Sequence, residues 1–279
     1  MVDQLATKAY DSSVGFLRSV RSLLPSRRVL PDYLIIGAQK AGTTSFHALI
    51  AEHPQVRGPI RKEIHYFDLN HTKGDRWYRS FFPRTDAMSP ASITGEASPY
   101  YLFHPHCAHR INKTVPDAKL IVLVRDPVDR AVSHYHHEVR LGYESRSLER
   151  ALADEDAMLE REMARLGTDP RYTSFEHQHH SYRARGRYAE QIDRFCRTCS
   201  KDRILIVDSA ELYGNPAAAA QRGYTFLGID PAFEPARLKP KNKGKYQDRI
   251  SPKTRHELED HYRPHNERLY ELIGRDLGW

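Results

Sequence analysis

Apolar residues fall into short unbroken runs, separated by longer stretches in which they recur every three or four positions. Residues 33–36 form one such run, closed by Gly37, and residues 120–124 form another, rich in β-branched side chains. Runs this short and continuous predict strands buried on both faces. Residues 204–207 predict a third strand, and 92–96 and 56–60 complete a set of five. Between them the spacing predicts helices over 43–52, 76–82, 105–113, 127–140, 147–166, 180–196, 216–227 and 252–273. Asp126-Pro127 and Asn215-Pro216 each open one of them with a capping residue followed by proline. Strands alternating with helices predict an α/β fold: three layers, with a five-stranded parallel sheet between helices. No composition break divides the chain, so residues 31–279 read as one domain after an extension over 1–30. Within that extension Val14, Leu17, Val20, Leu23 and Leu24 recur at helical spacing among arginines. Such a helix could pack on its own domain, on a partner subunit or on a membrane surface.

Composition narrows the partners. The 279 residues carry a formal charge of +7, with 16 Tyr, 10 Phe and 2 Trp. That aromatic content argues against disorder. The positive charge predicts an anionic partner: a nucleotide, a nucleic acid, an acidic glycan or a membrane surface. Three cysteines do not make a disulfide framework. Cys196 and Cys199 form a lone CxxC, read as two thiols on a helix near Phe195 rather than a redox pair. No apolar run approaches the roughly 20 residues that cross a bilayer, and no signal-peptide core opens the chain. The expectation is a soluble, cytoplasmic protein.

Three segments carry the candidate chemistry. Gly37-Ala38-Gln39-Lys40-Ala41-Gly42-Thr43-Thr44-Ser45 joins the first strand to a helix. That joint offers backbone N–H groups and a helix N-terminus to an anion. The glycines have Walker A spacing, but Thr43 stands where the lysine belongs and the lysine lies inside the loop at Lys40. ATP hydrolysis on magnesium is therefore not expected. Lys62-Glu63-Ile64-His65-Tyr66-Phe67 places a carboxylate and an imidazole two residues apart, either of which could take a proton. A surface ion pair would also account for Glu63. Arg125-Asp-Pro-Val-Asp-Arg130-Ala-Val-Ser133 follows the strongest strand, where open α/β sheets bind ligands. Arg125 can grip a phosphate and Ser133 can add a hydroxyl; Arg130 can brace the helix through a salt bridge.

Together these segments resemble the sulfotransferase superfamily that uses 3′-phosphoadenosine 5′-phosphosulfate. The nearest branch is the heparan sulfate sulfotransferase-like one, with its bacterial relatives. The resemblance runs from about Pro31 to Trp279. It implies a P-loop-like fold in which residues 40–45 (Lys40, Ala41, Gly42, Thr43, Thr44, Ser45) bind the phosphosulfate, with Lys40 on the leaving phosphate. It makes Glu63 the general base, with His65 as the other candidate. It assigns the 3′-phosphate to Arg125 and Ser133, and to Lys243, Gly244 and Lys245 of the lysine-rich loop 239–246. It needs no metal and no nucleic acid, and it implies a carbohydrate or other hydroxylated acceptor. The chain departs from the pattern in two places. Gln247 replaces a cysteine, and Ala97 stands where several heparan sulfate enzymes carry lysine. A small-molecule acceptor therefore stays open, as does a nucleotide- or polyanion-binding module that does not use Glu63. Arg183, Arg185, Gly186, Arg187 and Tyr188 are candidates for the acceptor side. His134, His136, His137, His177, His179 and His180 lack metal-motif spacing and are expected on the surface.

Overall fold

The structure is a computed structural model that describes residues 27–236 and 250–279. The lysine-rich loop with Lys243, Gly244 and Lys245, and most of the N-terminal extension, lie outside the described residues. In chain order the elements are β1 (Tyr33–Gly37), α1 (Thr43–Ala51), α2 (Gly74–Arg79), β2 (Gly95–Ala97), α3 (Cys107–Thr114), β3 (Lys119–Val124) and α4 (Pro127–Leu141). There follow α5 (Leu148–Thr168), α6 (Phe175–His179), α7 (Tyr188–Cys196), β4 (Ile204–Asp208), α8 (Ser209–Gly214), α9 (Pro216–Leu227) and α10 (Pro252–Ile273).

The strands pair in parallel in the order β2-β1-β3-β4. All five residues of β1 and five of six in β3 are buried, as their unbroken apolar runs require. Each large aliphatic side chain buried there contributes about 1.5–3 kcal/mol. The expected five-stranded sheet is corrected to four strands among the described residues. Residues 56–60 make only one isolated bridge, Val56 to Ile93, outside the four strands. Gly58 and Pro59 follow at once, and proline has no N–H to extend a ladder.

The order places a topological switch at β1, with β2 on one side and β3 on the other. The crevice at the carboxyl ends of β1 and β3 is where such sheets bind ligands. Asp126 starts α4 there, its carboxylate accepting from the N–H of Asp129 at 2.9 Å. On α9, Gly223 lets α1 approach closely, since a Cβ there would lie 2.8 Å from Ile50 and 2.9 Å from Phe46. The expected helix over 180–196 is shorter: α7 starts at Tyr188, after a 3₁₀ turn at Ala184–Gly186. Among the described residues no helix is long and apolar enough to cross a membrane.

Two of the six histidines expected on the surface are fully buried, His134 and His177. They are kept inside by partners. His134 Nε2 lies 3.2 Å from Glu138, which also accepts from His179 Nδ1 at 2.9 Å. His177 Nδ1 pairs with the Tyr100 hydroxyl at 2.6 Å. Burial holds the His177 imidazole down to about 3. Arg130 is buried too, and it donates to the carbonyl of Tyr182 rather than to a carboxylate. It thus ties α4 to the turn before α7. Cys196 and Cys199 are free thiols, as is the buried Cys107.

Candidate active site

The loop after β1 turns into α1 through Gly42, whose φ of 95° is open to glycine and strained for other residues. A Cβ at Gly42 would also sit 2.9 Å from the Tyr213 hydroxyl. The first turn of α1 carries no acidic residue, so nothing there offsets the positive end of the helix. Lys40 sits in the loop with a φ of 71°. Burial first, and then the charges of Arg140 and Arg125, lower its ammonium to about 8. Arg125 reaches across from the end of β3 and donates to the Lys40 carbonyl at 3.3 Å. Its guanidinium also lies 3.6 Å from Asp129. Ser133 stands half-buried on α4, in its second turn.

The loop is braced from below. Gln39 accepts from Arg185, a fully buried arginine that also donates to Ser181 Oγ at 2.8 Å. The Arg185 guanidinium lies 4.7 Å from the Tyr100 ring centre and 5.1 Å from that of Phe103. Arg185 is thus buried behind the loop that follows β1. Tyr188 donates to the Arg125 carbonyl at 2.9 Å and so steadies the other side of the crevice.

The segment 62–68 lies against the loop. Lys62 Nζ bridges two groups: it donates to Thr44 Oγ1 at 3.1 Å and pairs with the Glu63 carboxylate. Glu63 also lies 3.9 Å from His65 Nε2, an ion-pair distance too long for a hydrogen bond. The other His65 nitrogen, Nδ1, meets the buried Asp68 carboxylate at 2.7 Å. Lys62, Glu63, His65 and Asp68 thus form one chain of alternating charge that ends on the phosphate loop. Burial works to raise the Glu63 carboxyl, but His65 and Lys62 outweigh it and hold it down to about 2. Burial works to lower the His65 imidazole, but the Asp68 carboxylate outweighs it and raises it to about 10. At neutral pH the arrangement therefore holds an ionised Glu63 beside a protonated His65. Glu63 and His65 have φ values of 58° and 54°, so both side chains project from a strained backbone.

The structure brings together Lys40, Thr44, Arg125, Glu63 and His65 from three separate segments. Sequence reasoning missed Asp68 and the Thr44 contact of Lys62. Asp68 falls three residues after His65, a spacing that could have flagged it as the group that orients the imidazole.

Comparison with known proteins gives a consistent answer. The sulfotransferase domain family matches residues 30–263. Human heparan sulfate glucosamine 3-O-sulfotransferase 6 is 32% identical over 277 residues, covering 91% of this chain and 75% of that protein. The membrane-associated sulfotransferase kil1 of Dictyostelium discoideum is 24% identical, covering 90% of this chain and 66% of its own. Among solved structures, a sulfotransferase from Alicyclobacillus acidocaldarius superposes with a TM-score of 0.70 at 30% identity. That match covers 89% of this chain and 98% of the other. With a helix-flanked parallel sheet and a match over most of its length, the chain belongs to the sulfotransferase domain family and is an enzyme of the type that takes its sulfuryl group from 3′-phosphoadenosine 5′-phosphosulfate.

Proposed function

We propose that the crevice transfers a sulfuryl group in line from the nucleotide donor to a hydroxyl of a carbohydrate, with Glu63 as base. The observation that carries this reading is the Lys62 bridge, which joins the Glu63 carboxylate to Thr44 of the phosphate loop. On this reading the bridge would set the proton acceptor beside the loop that takes the donor. The acceptor oxygen forms its bond to sulfur as the sulfur–oxygen bond to the 5′-phosphate breaks. The acceptor proton goes to Glu63, and the electron pair leaves with adenosine 3′,5′-bisphosphate. His65 is the poorer base because Asp68 keeps it protonated. Lys40, Ala41, Gly42, Thr43, Thr44 and Ser45 would hold the 5′ end of the donor, with Lys40 meeting charge on the leaving oxygen. Arg125, Ser133 and the outlying Lys243, Gly244 and Lys245 would read the 3′-phosphate.

The named relative acts on heparan sulfate glucosamine, which supports a glycan acceptor here. Ala97 favours a second reading, a small hydroxylated acceptor, because it offers no charge where several heparan sulfate enzymes carry lysine. Radiolabelled donor incubated with heparan sulfate, neutral polysaccharides and simple alcohols tests both. Label appearing only in the alcohols would rule out the glycan reading, and label in none of them would rule out both.

Two binding measurements test the donor assignment. Adenosine 3′,5′-bisphosphate should bind more tightly than AMP by ~1.5–3 kcal/mol, the worth of a charge-assisted phosphate contact. Equal affinities by calorimetry would remove Arg125 and Ser133 from that role. The same affinity should also depend on pH through Lys40. A lysine lowered to about 8 is charged below that pH and loses its proton above it. Affinity should therefore be flat near neutrality and fall about tenfold between about pH 7.5 and about pH 9. A Lys40→Met variant should bind more weakly and lose this dependence; a variant that keeps it would show that another group titrates.

A further inference from the structure

We propose that Glu96 is a positioning residue for the candidate catalytic segment, holding the backbone of residues 64–66 so that Glu63 and His65 keep their strained conformations. Glu96 lies in β2, paired in register with Leu34 of β1, and is fully buried. Its carboxylate is saturated with donors. Oε1 accepts from Tyr78 Oη at 2.7 Å and from Tyr101 Oη at 2.9 Å. Oε2 accepts from Ser98 Oγ at 2.8 Å and from the Ile64 N–H at 3.3 Å. Two of those hydroxyls pass the connection on. Ser98 Oγ accepts from the His65 N–H at 3.2 Å, and Tyr101 Oη accepts from the Tyr66 N–H at 2.8 Å.

Three consecutive N–H groups thus end on one carboxylate, directly or through one hydroxyl. The N–H before them, that of Glu63, donates to the Ala97 carbonyl at 3.1 Å. Residues 96–101 are fixed in turn to the sheet, for Ser98 N donates to Ile35 O at 3.1 Å. The positive φ values of Glu63 and His65 need such over-determination, since a residue with a Cβ leaves that region when released. The placing of acceptors matters as well as shape. A hydroxyl can turn to accept, but the Ile64 N–H can only donate. A glutamine at 96 keeps one acceptor oxygen and turns its amide N–H groups toward Tyr78 and Tyr101, whose hydroxyl already accepts from the Tyr66 N–H.

The inference rests on the reading that Glu63 or His65 takes part in transfer, and the test separates the two. Glu96→Gln, Ser98→Ala and Glu63→Gln are compared with the parent protein, using radiolabelled donor and heparan sulfate for kcat. Calorimetry with adenosine 3′,5′-bisphosphate measures donor-site affinity and the folded fraction. Glu96→Gln should lower kcat about ten- to a hundredfold, as misplacement of catalytic groups does. Ser98→Ala, which leaves Glu96 in place but strips the His65 N–H of its acceptor, should lower it less. Nucleotide affinity should stay within about twofold in both, because Lys40 and Arg125 stand on other loops. Normal kcat in both folded variants would overturn the proposal, as would a loss of nucleotide affinity equal to the loss of kcat. Should Glu96→Gln fail to fold, Ser98→Ala decides alone. A slow Glu96→Gln beside a normal Glu63→Gln would overturn Glu63 as base and leave the positioning role standing. A dead Glu63→Gln beside two normal variants would do the reverse.

Discussion

Glu63→Gln should lower kcat by ~10²–10⁴-fold, the usual contribution of a general base. The substitution keeps the size of the side chain and one acceptor for Lys62, so the bridge to Thr44 can persist. Affinity for adenosine 3′,5′-bisphosphate should barely change, because the proposed mechanism assigns the carboxylate to the acceptor and not to the nucleotide. His65→Ala should be milder, since an imidazole kept protonated by Asp68 orients and balances charge but takes no proton. An exposed ion pair predicts a near-silent Glu63 variant, because such pairs are worth only ~0–1 kcal/mol. The Glu63 side chain is 44% exposed, so this alternative is a real competitor. Steady-state kinetics with both variants decides between them. A normal Glu63→Gln with an inactive His65→Ala would make His65 the base.

Lys40→Ala should differ in kind, lowering kcat by ~10²–10³-fold and weakening nucleotide binding as well. A group that meets charge on the leaving oxygen acts most strongly in the transition state, but it also touches the ground-state phosphate. Arginine carries its charge on a planar fork rather than a compact ammonium, so Lys40→Arg should not restore full activity. Single-turnover and calorimetric measurements on the same preparation separate the two effects. A Lys40→Ala variant that loses affinity but keeps its single-turnover rate would confine the lysine to binding.

What the sequence revealed and what it hid divide along physical lines. β1 and β3 were legible because each is buried on both faces and so reads as an unbroken apolar run. The loop after β1 and the Arg125 joint stood out because each has fixed residue types at fixed spacing, and the structure sets both at the carboxyl ends of β1 and β3. Residues 56–60 misled because Val56 and Ile60 suggest a strand, while Gly58 and Pro59 between them leave only one isolated bridge. The buried histidines misled for another reason. His134 and Glu138 stand four apart on one face of α4, a pattern shared by exposed and buried pairs alike. Glu96 gave no signal at all, because its partners come from the 62–68 segment, α2 and the turn after β2. Positive φ at Lys40, Glu63 and His65 is equally silent, since none is a glycine.

The brace of Arg185 on Gln39 has a thermodynamic meaning. A phosphate loop that floated free would have to be ordered by its ligand, and that entropy would be subtracted from affinity. Here the guanidinium is locked between two aromatic rings, a serine hydroxyl and the loop itself before any nucleotide arrives. The ordering is done once, when the protein folds, and its cost is borne by the core behind the loop. If the loop takes the donor as proposed, its grip is preset, and Arg185 behind it helps to set the strength of that grip.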